Sequence, residues 1–256
     1  MAEPLLSIEG LNKRFGGVVA SDHVTLVIAK GELHAVIGPN GAGKTTLIGQ
    51  LAGEVAPDAG RIVFDGVDIT ALPVWRRSLM GLARSFQITS LLPDFTALDN
   101  VALAAQAHAG HSFRFWQDVR RERGLRETAR AALDLVGLTE RAHDRVSRLS
   151  HGEHRQIEIA MALATAPRLL LLDEPMAGLG PTESARMLAL LRELKGQYTI
   201  VLIEHDMETV FALADQVSVM VYGRVIVTGT PEAIRANAQV RQAYLGDDVA
   251  AELGNV

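Results

Sequence analysis

Short apolar runs and one long helical stripe divide the chain. Residues 5–11, 24–30 and 61–65 read as β-strands, the first two meeting around the turn at Phe15 to Gly17. HAVI (34–37) leads into a glycine-rich loop that opens at Gly38, and KTTLIGQLAG (44–53) reads as a helix stopped by Gly53. From about residue 68 to 160 the pattern is mostly helical. Within it Leu125, Ala129, Ala132, Leu133 and Val136 fall at offsets of 4, 7, 8 and 11, which predicts an amphipathic helix over 118–137. That stripe is ordinary core packing. AHAGHSFRFW (107–116) breaks the period and reads as a loop. LLLLD (169–173) and TIVLI (199–203) are short and apolar, as strands buried in a parallel sheet are, and each precedes a helix. Runs at 216–221 and 224–228 meet at Tyr222-Gly223 as a hairpin, and Thr230-Pro231 supplies the N-cap and first residue of a last helix. The order of elements is that of an α/β protein.

Composition narrows the class without naming it. At 256 residues the chain suits one large α/β domain or two small lobes. A net charge of −5 argues against a dedicated nucleic-acid binder. The absence of cysteine removes any disulfide framework or thiolate metal site, in keeping with a reducing compartment. The first residues, MAEPLLSIEGLNKRF, lack the basic start and apolar run of a signal peptide. No stretch approaches the roughly 18 uninterrupted apolar residues of a membrane helix. A role at a membrane would therefore run through partners.

Two local patterns carry chemistry. GPNGAGKTT (Gly38, Pro39, Asn40, Gly41, Ala42, Gly43, Lys44, Thr45, Thr46) satisfies G-x-x-x-x-G-K-[ST] between a strand and a helix. A triphosphate needs many donors at close range. Glycines let the backbone wrap it as an anion nest, and the helix N-terminus adds its dipole. Lys44 is expected to reach the β- and γ-phosphates and Thr45 to ligate Mg²⁺. The second pattern is LLLLDEP, in which a buried strand delivers Asp173 to the carboxyl edge of a sheet. There Asp173 is placed to hold Mg²⁺, and Glu174 to orient or deprotonate a water. Alone, an acidic pair after a strand is also what a solvated strand end looks like. The phosphate loop decides between the two.

With these in hand, further motifs bring out a resemblance. LSHGE (149–153) before a helix resembles the signature of ABC ATPases, usually LSGGQ. Gln87 in RSFQ sits at the Q-loop, His205 in IEHD at the switch histidine, AGLG (177–180) at the D-loop, and Phe15 where an aromatic stacks on adenine. Taken singly, Gln87 reads as a surface glutamine, His205 as a strand-end histidine, Phe15 as core and Ser150 as an N-cap. The resemblance covers about residues 5 to 246. It implies a P-loop ABC nucleotide-binding domain with an antiparallel β lobe and an inserted helical lobe. The expected boundaries are a core plus β lobe in 1–87 and 161–246, a helical signature lobe in 88–160, and a tail from 247 to 256. It implies ATP and Mg²⁺ as ligands, with Thr45, Gln87 and Asp173 toward the metal and Glu174, His205 and Gln87 as catalytic groups. Ser150, His151, Gly152 and Glu153 would face a nucleotide held by a second copy, identical or sister, closing head to tail.

Within that family the chain is similar to the ATPases of branched-chain amino-acid importers, on RFGGVVA, GLARSFQ, LIEHDM and GTPEAIRAN…VRQAYLG. This resemblance implies two integral membrane permease subunits and, indirectly, a periplasmic binding protein. It implies a peripheral place on the cytoplasmic face of the inner membrane. Urea-import and lipopolysaccharide-export ATPases share several of these cues, and a cytosolic assembly factor is the rival from another class. Leu91, Leu92 and Phe95 lack helical periodicity and read as a docking surface for a membrane subunit. The chain departs from the family twice. His151 replaces the first signature glycine, where its ring either contacts a partner phosphate or faces solvent and leaves the contact to its N–H. Gly180 stands where the D-loop usually has Asp or Asn.

Overall fold

A computed structural model of the protein describes residues 3–85, 91–108 and 123–244. They divide into two compact units: the residues up to Pro73 with those from Lys195 onward, and Val74–Leu194. The second is wider than the 88–160 stretch expected as a helical lobe, because two strands and the helices flanking them cluster with it.

The first unit begins with β1 (Pro4–Phe15) and β2 (Val18–Ala29), an antiparallel pair in which Phe15 opposes Val18 and Ser7 opposes Val27. Leu6, Ile8 and Leu11 of β1 and Val24, Leu26 and Ile28 of β2 turn inward. Then come β3 (Leu33–Ile37), α1 (Lys44–Ala52), β4 (Ala59–Phe64) and the short β5 (Val67–Asp68). β2, β1, β4 and β5 form a four-stranded antiparallel sheet in that order. α1 ends at Gly53, whose left-handed conformation (φ 87°) lets its N–H close onto the carbonyls of Gly49 and Gln50.

The second unit holds α2 (Val74–Leu79), β6 (Leu82–Arg84), α3 (Ala97–His108), α4 (Arg123–Leu135), α5 (His151–Leu163), β7 (Leu169–Asp173) and α6 (Pro181–Leu194). β6 and β7 run parallel, Leu82 beside Leu169. α4 buries Ala129, Ala132 and Leu133, the stripe that the spacing predicts, with Val136 buried just beyond it. Residues 118–122 of that expected helix, and 109–116 of the expected loop, lie outside the described residues. Ala107 and His108 of that loop are instead the last residues of α3, so the helix outlasts its apolar pattern by a partial turn.

The chain then returns to the first unit with β8 (Thr199–Ile203), α7 (Met207–Leu213), β9 (Gln216–Val221), β10 (Arg224–Gly229), α8 (Pro231–Ala236) and α9 (Ala238–Tyr244). β3 lies parallel to both β8 and β9, Val36 beside Ile203 and Ile37 beside Val219. Every residue of β3 and of β8 is buried, as their largely apolar runs require. Tyr222 and Gly223, both at positive φ (45° and 80°), turn β9 into β10 as a hairpin turn demands. Thr230 caps α8 through its side chain, which accepts from the N–H of Ala233.

One polar residue breaks the apolar run of β3. His34 is 1% exposed. Its Nδ1 lies 2.6 Å from Glu32 Oε1 and its Nε2 2.8 Å from Ser218 Oγ, which in turn contacts Thr228 Oγ1 at 2.7 Å. The imidazole thus ties β3 to β9 and β10. His34→Leu fits the space but leaves buried polar partners short of one bond each, a loss of about 1–3 kcal/mol. The urea midpoint should fall accordingly; an unchanged midpoint would show that the network contributes nothing net.

Candidate functional site

The glycine loop after β3 is shaped by what lies beneath it. Gly38 and Gly43 hold φ of 155° and 102°. A methyl on Gly38 would stand 2.0 Å from the carbonyl oxygen of Met220, and one on Gly43 2.0 Å from that of Ala20. The Gly223 N–H donates to Ala42 O at 2.9 Å. The end of β9, the hairpin turn and β2 therefore form a backbone bed on which only a loop bare at those two positions can lie. Ala42 is 2% exposed and seals the bed, while Asn40, Gly41 and Thr45 face outward and Pro39, Gly43 and Thr46 are half-buried. Lys44 is 7% exposed, and its ammonium donates to the carbonyls of Gly38 (2.7 Å) and Pro39 (3.1 Å). Its charge is thereby held inside the curl of the loop rather than in solvent.

His205 belongs to the same edge. Val36 of β3 pairs in parallel with Ile203 of β8, so Gly38 and His205, each two residues further on, leave neighbouring strands at the same end. Its side chain is exposed, 3.9 Å from the buried Glu204 carboxylate. Phe15 ends β1 with half its surface exposed, Lys13 Nζ standing 5.4 Å from its ring centre. It is not core, and a flat aromatic face is open to a partner.

In the second unit β7 delivers its carboxylates as the pattern predicts. Asp173 is 2% exposed and accepts from Arg84 Nη2 at 3.1 Å, an arginine at the end of the neighbouring β6. Glu174 follows at φ 50°, a left-handed conformation that costs a residue with a Cβ about 1–3 kcal/mol. The kink turns the chain sharply off the strand and leaves the Glu174 side chain half-buried beside that edge. Gln87 lies outside the described residues.

The signature stands at the start of α5. Ser150 is its N-cap in a capping box: Ser150 Oγ accepts from Glu153 N (3.2 Å), and Glu153 Oε2 accepts from Ser150 N (2.8 Å). His151 is simply the first helical residue, with no positive φ, so the backbone conflict that replacing a glycine could raise does not arise. Its exposed ring leans toward the D-loop, where a methyl on Gly178 would meet His151 Nε2 at 3.5 Å. Glu183, from the first turn of α6, completes the group. Its Oε1 accepts from Ser150 Oγ (2.9 Å) and Gly152 N (3.2 Å), and its Oε2 from Gly180 N (3.3 Å). These bonds, the Ser150 hydroxyl foremost, hold its carboxyl below the ordinary range.

Comparison with known proteins fits this geometry. The family model described as "ABC transporter" matches residues 21–177, more than half of the chain. The chain belongs to the ABC transporter ATP-binding family. A second model, "Branched-chain amino acid ATP-binding cassette transporter", matches residues 224–250 of the cassette. The cassette is 39% identical over 254 residues to the high-affinity branched-chain amino acid transport ATP-binding protein BraF of Pseudomonas aeruginosa, covering 96% of this chain and all of that one. It is 38% identical over 256 residues to LivG of Escherichia coli, which bears the same description, with the same coverage. A nucleotide-free ATP-binding cassette from an ABC transporter and an ADP-bound conformation of such a cassette each superpose with a TM-score of 0.85. Both are 29% identical and cover 96% of this chain and all of theirs. This is a family of ATP-hydrolysing enzymes, and nucleotide binding is among its properties.

The residues of the cassette suit the ligands its family handles. Gly38 and Gly43 let the loop lie on backbone that any Cβ there would strike, and the Thr45 hydroxyl and Asp173 carboxylate are each hard oxygen donors of the kind Mg²⁺ takes. The sequence reading missed Met220, Ala20, Arg84 and Glu183. For Glu183 a local signal exists, since a glutamate at the third position of a helix often caps it; its reach to Ser150 leaves no sequence trace.

Two glycine substitutions separate strain from collision. Gly41 holds φ 79° but a methyl there meets nothing within 4 Å, so Gly41→Ala should cost only the left-handed strain of about 1–2 kcal/mol. Gly43→Ala must also displace the Ala20 carbonyl, and should lose more stability and bind fluorescent ATP analogue far more weakly. Thermal melting and nucleotide titration compare them; equal losses would refute the backbone bed.

Proposed function

We propose that this cassette is the ATP-hydrolysing subunit of an importer for branched-chain amino acids. The observation that carries the reading is near-complete coverage, at 39% and 38% identity, of two curated proteins of that description, joined by a C-terminal family model of the same kind. A urea or lipopolysaccharide transporter, or a soluble assembly factor, is not what these relatives are.

In this reading the first unit receives the nucleotide. Phe15 offers its exposed face to the adenine, and the loop from Gly38 to Thr46 wraps the phosphates with backbone N–H groups and the N-terminus of α1. Lys44 exchanges the loop carbonyls for phosphate oxygens. Thr45, Asp173 and Gln87 are the residues that would hold Mg²⁺, which would supply positive charge to offset that of the triphosphate. Glu174 accepts a proton from the attacking water, its kinked backbone fixing where the carboxylate stands, and His205 hydrogen-bonds the γ-phosphate. The start of α5, with Ser150, His151, Gly152 and Glu153, offers donors to the γ-phosphate bound by a second cassette, so that two copies close over two ATP molecules. Hydrolysis removes that bridge and reopens the pair.

The partners in the membrane would be two permease subunits, served in turn by a periplasmic binding protein, with the cassette peripheral on the cytoplasmic face. No helix among the described residues is long and apolar enough to cross a membrane. Leu92 (44% exposed) and Phe95 (42%) show their side chains while Asn100 pins the Leu92 backbone from both sides, donating to its carbonyl and accepting from its N–H. A firm backbone beneath exposed apolar groups suits a docking platform, in which Leu91 would share.

Glu174→Gln should bind ATP with affinity near that of the parent and slow hydrolysis by about 100-fold or more, the size of a positioned base's contribution. It should also trap an ATP-bound dimer visible by light scattering. Turnover near that of the parent would remove Glu174 from this role. Leu92→Glu with Phe95→Glu should abolish co-purification with the permease subunits at an unchanged melting temperature. A fall in melting temperature would instead mark both residues as packing. Deleting the gene should abolish uptake of radiolabelled leucine, isoleucine and valine; undiminished uptake would overturn the proposed cargo.

A further inference from the structure

The start of α5 is an anion receptor, and within this chain it already holds an anion. A serine hydroxyl and a helix-terminal N–H converge on one oxygen, Glu183 Oε1, at 2.9 and 3.2 Å. Gly152 makes that approach possible: a Cβ there would stand 2.8 Å from both Oε1 and Cδ of Glu183. The glycine that the signature reserves for a partner's phosphate thus also admits a carboxylate of the same chain.

The two occupants exclude each other. Ser150 has one hydroxyl proton, and its oxygen already accepts from Glu153 N, so the proton given to Glu183 is the only one it could give to a phosphate. A γ-phosphate arriving from a second copy would also meet the negative charge of Glu183 at the same donors. For closure the carboxylate has to leave. It has somewhere to go, because Oε2 accepts from Gly180 N at the head of its own helix, a bond it can keep while Oε1 swings away. The His151 ring, positioned toward Gly178, flanks the same group.

We propose that Glu183 is an internal counter-anion that occupies the signature's phosphate receptor until the partner's γ-phosphate displaces it, and so sets the ATP concentration at which two cassettes close. The inference rests on the two-copy reading given above. It adds a specificity device. ADP brings no γ-phosphate to these donors, so the resident carboxylate keeps an ADP-bound pair apart, whereas ATP supplies a doubly charged oxyanion able to outcompete one carboxylate. Glu183 does not touch reacting atoms in this account. It is a positioning residue that acts through Ser150 and Gly152.

The test uses the full-length Glu174→Gln protein titrated with MgATP, dimer formation being read by light scattering. Adding Glu183→Ala should lower the half-maximal ATP concentration by about tenfold, the scale of one charge-assisted hydrogen-bonded contact no longer displaced. Glu183→Asp keeps the charge and the cap on α6 but falls one methylene short of Ser150. It should behave like Glu183→Ala, and it carries the test alone if the alanine variant fails to fold. A midpoint unchanged or raised in both variants would make Glu183 a helix cap only and overturn the proposal. A lower midpoint in Glu183→Ala but not in Glu183→Asp would reduce the effect to general charge and overturn the contact. Failure of the Glu174→Gln parent itself to dimerise would sink the two-copy reading, and this inference with it.

Discussion

A triphosphate carries more negative charge than any set of side chains can surround at close range, so the cassette meets it with backbone. That choice constrains much of the first unit. The loop from Gly38 to Thr46 must curl tightly enough to aim its N–H groups inward, and the curl is held by pressing the loop onto other backbone: the Met220 and Ala20 carbonyls below, and the Gly223 N–H on Ala42. Strand β9, its turn and β2 thus shape the loop proposed to hold the phosphates as much as its own glycines do. The buried His34 network joins β3 to β9 and β10. A loop free to flex would dissipate the dipoles it is meant to align.

The second unit answers a different demand, that of holding two carboxylates at the end of a buried strand. Asp173 is almost completely buried, and a buried carboxylate is costly without a countercharge. Arg84 provides one from the adjacent strand at 3.1 Å. The ion pair thus ties the end of β6 to the end of β7. Glu174 is held otherwise, by a backbone kink at φ 50° that a glutamate would not choose freely. Strain of this kind persists only where the surrounding fold imposes it, which fits a group whose placement matters more than its comfort.

What could be read in the sequence and what could not follow from the range of each interaction. Strands β3, β7 and β8 were legible because burial on both faces demands largely apolar runs, and the glycine loop after β3 because its glycines sit at fixed local spacing. The stripe of α4 was legible for the same local reason. The edges of elements were less so: β1 and β2 run longer than their apolar cores, and α3 continues into residues whose composition suggested a loop. Contacts set by folding left no pattern. Arg84 and Asp173 are 89 residues apart, and Ser150 and Glu183 are 33 apart. The left-handed Glu174 is likewise invisible, since nothing local requires it. Sequence motifs single out the groups proposed to act on ATP; the groups that restrain them are tertiary.

The two departures from the family pattern make physical sense once that restraint is seen. A D-loop Asp or Asn before α6 could cap the helix with its own side chain, whereas Gly180 has none. Glu183, at the third helical position, supplies only the reciprocal half of a capping box by accepting from Gly180 N, and this orientation carries its other oxygen to Ser150 and Gly152. His151 in turn replaces a glycine at a position that is helical here, where a Cβ is tolerated without strain, and its ring leans toward Gly178 in the same cluster. Loss of a side chain at position 180 and gain of one at 151 therefore meet around a single carboxylate. The signature of this cassette is better described as a small charged assembly spanning two helix N-termini than as a bare glycine turn. On the displacement proposed above, its affinity for a phosphate would be set by a competition inside the chain, not by the donors alone.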